Sequence, residues 1–474
     1  MATAAPWDEP QVKIIRSDEP VERGLTISPA PAPRPALRHR LLPEASSLTP
    51  GNAAPIYLRL HWWRGTELRK EVGEKDNAWI SVATHFGGRN PRPIEAIPIA
   101  EARAWLEGWR PVLAQIGYGA HRRDCDWADP YLEHRESGRD IMAAGTRDTP
   151  VAWAALLAIQ ARVETAEGKF DDAIRTIQTG FAYARHVGRG PFLASSFGAL
   201  INARYMVDEL EVLIGRPGSP NLYWALTALP RPLIDFRDAL EIEQALVEDI
   251  VPELGELDRP RTDAEWADLL TRLIGRLNDL FRHHWASDDR PESLAKVQVP
   301  SVDQFRAKCL ASARDRLRDA PSGRPMSDDE ALARYLAAVY REYRDERFKW
   351  QYLPIPEAAA SDPYGREETI TIERMGIYAA LDEVIMSARL ARIVEARLAR
   401  RIAVLRTVEA IRLHLAAGKG LPRTLDEIRD IPLPLDPATG RPFDYRLDGD
   451  SAVISGPKLD KSTPGPLYRI TLRK

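Results

Sequence analysis

The side chains best suited to catalysis or metal binding lie close together between residues 121 and 140. They are His121, Asp124, Cys125, Asp126, Asp129, His134, Glu136 and Asp140. Imidazole, thiolate and carboxylate groups bind zinc and other divalent ions where three or four of them converge. Their spacing fits no established metal-site pattern, and a polar loop with Trp127 and Cys125 packed inward explains it more simply. His121, Cys125 and Asp126 are the candidate residues of a metal-dependent or thiol enzyme with a site near residues 121–136.

A second polar group is the adjacent pair His283 and His284, which Asp288 and Asp289 follow. Neighbouring residues on an α-helix point about 100° apart, so both imidazoles cannot easily bind one ion. Trp285 beside them favours a helix end with aromatic packing.

A third group is Asp436, Thr439 and Asp450. It resembles the calcium loop of some pseudopilins, in which carboxylate and carbonyl oxygens suit a hard cation. Asp436 also begins the run Asp-Pro-Ala-Thr-Gly, whose composition is typical of a simple turn. We predict no bound metal and no cofactor for this chain.

The motifs of several large enzyme classes are missing from the sequence. There is no phosphate-binding Gly-x4-Gly-Lys-Ser/Thr, no Gly-x-Gly-x-x-Gly, no Gly-x-Ser-x-Gly, no His-Glu-x-x-His and no Cys-x-x-Cys. These motifs position phosphates, dinucleotides, nucleophilic serines and zinc. Their absence favours a non-enzymatic role, although catalytic groups can also come from distant positions.

Composition and charge narrow the range of partners. The 474 residues include 66 Lys and Arg and 69 Asp and Glu, which gives a formal charge of -3 and a pI near 6.4. A nucleic-acid-binding domain usually has a pI above about 9, so we expect no nucleic-acid partner. No apolar run approaches the ~20 residues of a transmembrane helix, so we expect no membrane span.

The two cysteines and the N-terminus bear on the compartment. Cys125 and Cys309 are too few for a disulfide framework or a four-cysteine zinc site. They could form one bridge if the fold brings them together, but we favour two free, mostly buried thiols. The first residues lack the basic and apolar regions of a secretory signal. As written, the sequence predicts a cytoplasmic protein; a start upstream of Met1 would make an extracytoplasmic location possible.

Helical periodicity dominates most of the chain. Ile174, Ile177, Phe181 and Ala184, for example, recur at spacings of three and four residues, which places them on one helix face. The segment 168–174 before them resembles the turn between the two helices of a tetratricopeptide repeat. It occurs clearly once, so we predict an irregular stack of helical hairpins and no regular repeat array.

Four regions follow from these patterns. They are a proline-rich extended arm at 1–55, a helical-hairpin stack at 56–350, a linker at 351–371, and a long helix with a small antiparallel β domain at 372–474. Alternation and turn residues predict three strands in the last region, near 443–447, 452–455 and 467–472. The fold class is mainly α, with an irregular, repeat-like helical-hairpin stack and a small C-terminal α+β domain.

Arginine and tryptophan each allow two interpretations. The long helix carries Arg389, Arg392, Arg397, Arg400, Arg401, Arg406 and Arg412. Such a helix can bind phosphates or an acidic partner, or its arginines can be solvated or paired internally. The 12 tryptophans can line a concave surface or anchor helices in the core, and we favour the core.

Several segments resemble a large family of uncharacterised bacterial proteins, from about residue 36 onward. They are Cys125-Asp126-Trp127, 180–186, 220–226, 229–235 and 436–443. The resemblance implies a helical, tetratricopeptide-like body joined to a small C-terminal domain that is faintly similar to pseudopilins. It implies no activity and no catalytic residues, because the family has none assigned.

The leading function is a non-enzymatic protein-interaction or scaffold role with a protein or peptide partner, because helical stacks offer extended concave surfaces. One alternative is the metal-dependent or thiol enzyme near residues 121–136. Another is an envelope-associated, pilin-like assembly component.

Overall fold

Helices make up most of the computed structural model, which describes residues 22–63, 98–127, 151–257, 259–284, 301–317, 326–360, 372–459 and 465–473. A small C-terminal sheet accompanies them, so the predicted mainly α class with a small α+β part is confirmed. The helices of the described ranges are α1 (Ala54–Trp63), α2 (Ile99–Ala120), α3 (Val151–Ala166), α4 (Phe170–Val187), α5 (Leu193–Ile214), α6 (Tyr223–Thr227), α7 (Arg237–Ile250), α8 (Asp263–His284), α9 (Val302–Arg316), α10 (Asp328–Phe348), α11 (Ile355–Ala360) and α12 (Ile372–Ala416).

The helices α3, α4 and α5 pack on one another and form the centre of the stack. Gly168, at a φ of +73°, ends the connection after α3, a conformation that glycine adopts without strain. The segment 168–174 thus lies at a helix-to-helix turn, as its pattern predicts. Within α4, Gly180 lies so close to the buried Met206 of α5 that a Cβ atom there would overlap its side chain.

The long helix α12 packs against α5, α6, α7, α8 and α10. Its apolar residues Leu398, Ile402, Leu405, Val408, Ile411 and Leu415, spaced three or four residues apart, are buried, whereas Leu390 near its middle is half exposed. The C-terminal region and the helical stack therefore share one apolar core.

Tryptophans anchor the contact between α2 and α3. The ring centroids of Trp105 and Trp109 are 5.7 Å apart, and those of Trp109 and Trp153 are 6.2 Å apart. Trp109, Trp153 and Trp266 are all buried, which supports the core interpretation for these residues.

The strands of the C-terminal sheet are β1 (Arg23–Ile27), β4 (Asp444–Asp448), β5 (Ser451–Ser455) and β6 (Leu467–Leu472). They lie side by side in the order β1-β6-β5-β4. The predicted strands correspond to β4, β5 and β6, which pair antiparallel. β1 comes from the predicted arm and pairs parallel with β6, with Arg23 opposite Tyr468.

A second, two-stranded parallel sheet joins β2 (Thr49–Asn52) to β3 (Arg122–Asp124). It fixes the start of the polar segment 121–127 against the N-terminal part of the chain. No helix in the described ranges is both long and apolar enough to cross a membrane.

Candidate functional site

The segment 121–127 is held by backbone and side-chain contacts with the N-terminal region. The carbonyl of His121 accepts a hydrogen bond from the Thr49 N–H at 2.9 Å. The Nδ1 atom of the His121 ring lies 2.9 Å from the Gly117 carbonyl oxygen. The N–H of Asp126 donates to Asn52 Oδ1 at 2.8 Å. The polar atoms of the segment thus take part in local structure.

Cys125 is only 4% exposed, whereas Asp126 is exposed. Burial raises the pKa of the Cys125 thiol to about 12, so it is protonated at neutral pH and a weak nucleophile or metal ligand. No group of three or more His, Cys, Asp and Glu residues that could hold a metal ion occurs within the described ranges. The structure does not describe Asp129, His134 and Glu136, nor Asp140. Cys125 and Cys309 form no disulfide.

Of the two other candidate metal groups, the structure describes the one at Asp436 but not the side chains of the one at His283 and His284. Asp436 is buried in an ion pair with Arg400, whose Nη2 lies 2.6 Å from Oδ2. Its other oxygen, Oδ1, accepts the N–H of Ala438 at 2.9 Å, which closes the turn that the composition indicates. The His283 and His284 side chains, together with Asp288 and Asp289, lie outside the described residues.

Four of the six α12 arginines whose side chains the structure describes form internal ion pairs. Arg392 pairs with Glu395, Arg400 with Asp436, and Arg412 with Glu409. Arg401 contacts both Asp208 and Glu211 of α5, at 2.6 and 2.7 Å. These contacts support the internally paired interpretation of the helix.

A cavity of about 390 Å³ lies between α12 and two proline-containing segments, 229–234 and 432–437. We call it the apolar cavity, because leucine, isoleucine and proline side chains form most of its wall. Its volume is within the roughly 300–1,000 Å³ that small-molecule sites occupy. Leu435 at its edge is 54% exposed, so the cavity has an apolar rim.

Arg406, Arg231, Glu395 and Asp436 are the charged groups along the apolar cavity. Asp436 is already paired with Arg400. Arg406 is buried; its Nε donates to Thr227 Oγ1 at 3.1 Å, and its guanidinium lies 5.6 Å from the centre of the Tyr223 ring. Burial lowers the pKa of Arg406, and the charge of Arg231 lowers it further. Burial raises the pKa of Glu395 to about 7, against the opposing effect of Arg392.

Residues 230–234 also line a second, more open space of about 530 Å³. We call it the arginine cleft, since it is lined by Arg185, Arg189, Arg231 and Arg237. Arg237 forms an ion pair with Asp235. The other three arginines are exposed and have no carboxylate partner in the part of the chain that the structure describes. Partial desolvation and the charge of Arg189 lower the pKa of Arg185.

The segment 230–234 therefore lines both the apolar cavity and the arginine cleft. The sequence indicated it only as part of a family-like run. Trp127 of the polar segment also lines the cleft, and its Nε1 donates to the His186 carbonyl at 2.9 Å. No local pattern could reveal either space, because the walls come from segments that are far apart in the sequence.

Comparisons with protein-family models, with curated proteins and with solved structures found no significant match to this chain. The function must therefore be inferred from the geometry of the chain itself.

Proposed function

We propose that this chain is a non-enzymatic protein-interaction protein that binds an acidic segment of a partner protein in the arginine cleft. One observation carries the proposal: Arg185, Arg189 and Arg231 line one open cleft without carboxylate partners among the described residues. A guanidinium presents a planar fork of donors that matches a carboxylate. Three such groups in one concave space suit a chain that carries several carboxylates.

Helix electrostatics explain only part of this arrangement. Arg185 lies in the last turn of α4, where the helix dipole favours a positive charge. Arg231 comes from a different segment, between α6 and α7, and gains nothing from that dipole. A partner's carboxylates would relieve the mutual repulsion of these groups, which is a reason for a ligand.

Aspartates limit which acidic segments fit. Asp126, Asp235 and Asp238 also line the arginine cleft, Asp235 in its ion pair with Arg237, so the cleft is not uniformly positive. A carboxylate placed beside Asp126 or Asp238 would be repelled, and repulsion of this kind contributes to specificity. The partner segment should therefore combine acidic residues with neutral or basic ones in a set order.

The two alternative functions have less support from the described residues. A thiol enzyme needs a thiolate at Cys125, and the burial that raises the pKa of this thiol opposes it. A pilin-like role depends on export, which has to be tested in cells.

The test measures binding of fluorescent peptides of equal length that are acidic, basic or neutral to the full-length protein. We expect the acidic peptides to bind, and to bind more weakly as salt is added. The double variant Arg185→Glu, Arg189→Glu should lose at least about tenfold in affinity, because hydrogen bonds to charged groups contribute ~1.5–3 kcal/mol each.

Arg110→Glu is the matched control, since Arg110 is 81% exposed on α2 and does not line the cleft. Equal affinity in the double variant and the control, or a preference for basic peptides, would overturn the proposal. A photo-cross-linking amino acid at position 238 then identifies the partner in cells, and the cross-linked peptide should be acidic.

A further inference from the structure

Arg406 differs from every other buried arginine in the described ranges. Five arginines are buried there, and four of them have a carboxylate partner. These four are Arg162 with Glu209, Arg392 with Glu395, Arg400 with Asp436, and Arg412 with Glu409. Arg406, 8% exposed, has none among the described residues.

This arrangement is unfavourable for the protein alone. Removing a charged group from water costs several kcal/mol unless a counter-charge compensates. The neutral Thr227 hydroxyl and the face of Tyr223 compensate only in part. Arg231 adds a second positive charge near Arg406. An anion bound between these two guanidinium groups would satisfy both.

The rest of the wall restricts the kind of anion. The surface next to Arg406 is apolar and includes Leu200, Leu226, Leu229, Leu233, Leu398 and Ile402. A compact, strongly hydrated anion such as phosphate leaves this surface uncovered. A molecule with one anionic end and an apolar body buries both parts, at roughly 25 cal/mol per Å² of apolar area.

Glu395, at the far end of the cavity from Arg406, limits the number of negative charges that a ligand can carry. Glu395, Ala399, Ile402 and Arg406 all line the apolar cavity, at spacings that put them on one face of α12. At 1.5 Å per residue, Glu395 and Arg406 are about 16 Å apart along the helix axis. A ligand whose anionic end lies at Arg406 therefore points its other end towards Glu395, where a second carboxylate would meet another acid.

We propose that the apolar cavity binds a small amphipathic monocarboxylate, with its carboxylate on Arg406 and Arg231 and its apolar body along α12. This site goes beyond the partner-binding function proposed for the arginine cleft and shares one residue with it, Arg231, which lines both spaces. The volume and the length along the helix suit a medium-chain aliphatic acid.

Isothermal titration calorimetry of the full-length protein tests this with decanoate, decanol and decanedioate as probes. Decanoate should bind at least about tenfold more tightly than decanol, since an ionic hydrogen bond of ~1.5–3 kcal/mol is lost with the alcohol. Above about pH 8, where Glu395 is ionised, it should also bind more tightly than decanedioate, because Glu395 repels the second carboxylate. Equal affinity for decanoate and decanol would overturn the proposal, as would failure of decanoate to bind.

Two variants, one of them with a matched control, test whether decanoate binds in the apolar cavity. Ala399→Phe fills the cavity and should abolish decanoate binding, whereas Ala417→Phe, at an exposed position just after α12, should not. Arg406→Met should bind decanol as the wild type does but lose the preference for decanoate. Arg406→Met removes a buried charge whose desolvation is costly and leaves no carboxylate of the described ranges unpaired, so this variant is expected to fold.

Decanoate binding that survives in Ala399→Phe would place the ligand elsewhere and overturn the assignment. The variant Arg185→Glu, Arg189→Glu separates the two proposals. It should lose the acidic peptide and keep decanoate, so the failure of one proposal can be told from the failure of the other.

Discussion

The guanidinium of Arg400 and the carboxylate of Asp436 form a bidentate ion pair inside the protein, with Nε to Oδ1 at 2.9 Å and Nη2 to Oδ2 at 2.6 Å. Their side chains are 2% and 1% exposed. Nη2 also donates to the Pro457 carbonyl at 2.7 Å. This pair joins the long helix α12 to the turn that precedes β4, and so connects the helical stack to the C-terminal sheet.

Breaking this pair should destabilise the whole fold. In Asp436→Asn, the Arg400 charge remains buried without a counter-ion, which typically costs about 3–5 kcal/mol. Urea denaturation should show this loss in the free energy of unfolding. The exposed Asp444→Asn should change it by less than about 0.5 kcal/mol. Calcium should move neither midpoint, since both Asp436 oxygens accept hydrogen bonds; a calcium-dependent rise in the wild type would contradict this account.

Gly119 is required by the position of the Tyr57 ring. A Cβ atom at Gly119 would lie 2.5 Å from Tyr57 Cε1, and the ring is fixed by a 3.0 Å hydrogen bond to His186 Nδ1 and by edge contact with Tyr183. Gly119→Ala should therefore lower the free energy of unfolding by about 1–3 kcal/mol, as overpacking does.

Gly117→Ala supplies the control on the same helix, because a Cβ atom there meets nothing within 4 Å. Replacing this helical glycine should stabilise the protein by roughly 0.5–1 kcal/mol. The opposite signs of the two effects make the comparison decisive. Equal effects would show that Tyr57 moves aside at little cost.

The strand β1 should be needed for stability, although its sequence lies in a proline-rich arm. Ile27 is fully buried, and Ile27→Ala is expected to cost about 2–5 kcal/mol. Thr26→Ala, at the exposed neighbouring position, should cost far less. Removing residues 1–28 would also expose the edge of β6, so light scattering should detect self-association of that truncated chain. A monomer with wild-type stability would disprove the role of β1.

Local pattern predicted the elements whose stabilising contacts are near in the sequence. The spacing of Ile174, Ile177 and Phe181 identified α4, and alternation identified β4, β5 and β6. β1 was not predicted, because five residues of ordinary composition pair with a strand at the opposite end of the chain. Parallel pairing leaves no turn signal between the two strands.

The candidate site was less accessible to prediction for the same reason. The sequence predicted a candidate site in the polar run 121–127 because residues that can bind metals or act in catalysis are close together there. In the structure, Cys125 is buried and the N–H of Asp126 donates a hydrogen bond to Asn52. The apolar cavity forms only when the segment 230–234 meets α12 and the turn at Asp436. The arginine cleft forms where the same segment meets residues near Trp127 and the end of α4. Arg406 looks like the other arginines of α12 in the sequence, and only its contacts distinguish it.

Glu395 should make stability depend on pH in a direction opposite to that of an ordinary paired carboxylate. Burial raises its pKa from 4.5 to about 7, with Arg392 and Arg237 opposing the rise and Asp235 adding to it. Between these two pH values the folded protein keeps a proton that the unfolded chain has lost. The contribution of Glu395 to stability therefore falls as the pH increases from 4.5 to 7, by about 3 kcal/mol in total.

The variant Glu395→Gln isolates this effect, because glutamine does not titrate. The difference between the unfolding free energies of the wild type and Glu395→Gln should decrease steadily from pH 4.5 to pH 7 and then level off. Other buried groups contribute equally to both proteins; His186, whose pKa burial lowers to about 4, is one of them, and its contribution cancels in the difference. A difference that stays constant with pH would show that folding leaves the pKa of Glu395 unchanged, with Arg392 balancing its burial. A difference that increases with pH would show that Arg392 outweighs its burial.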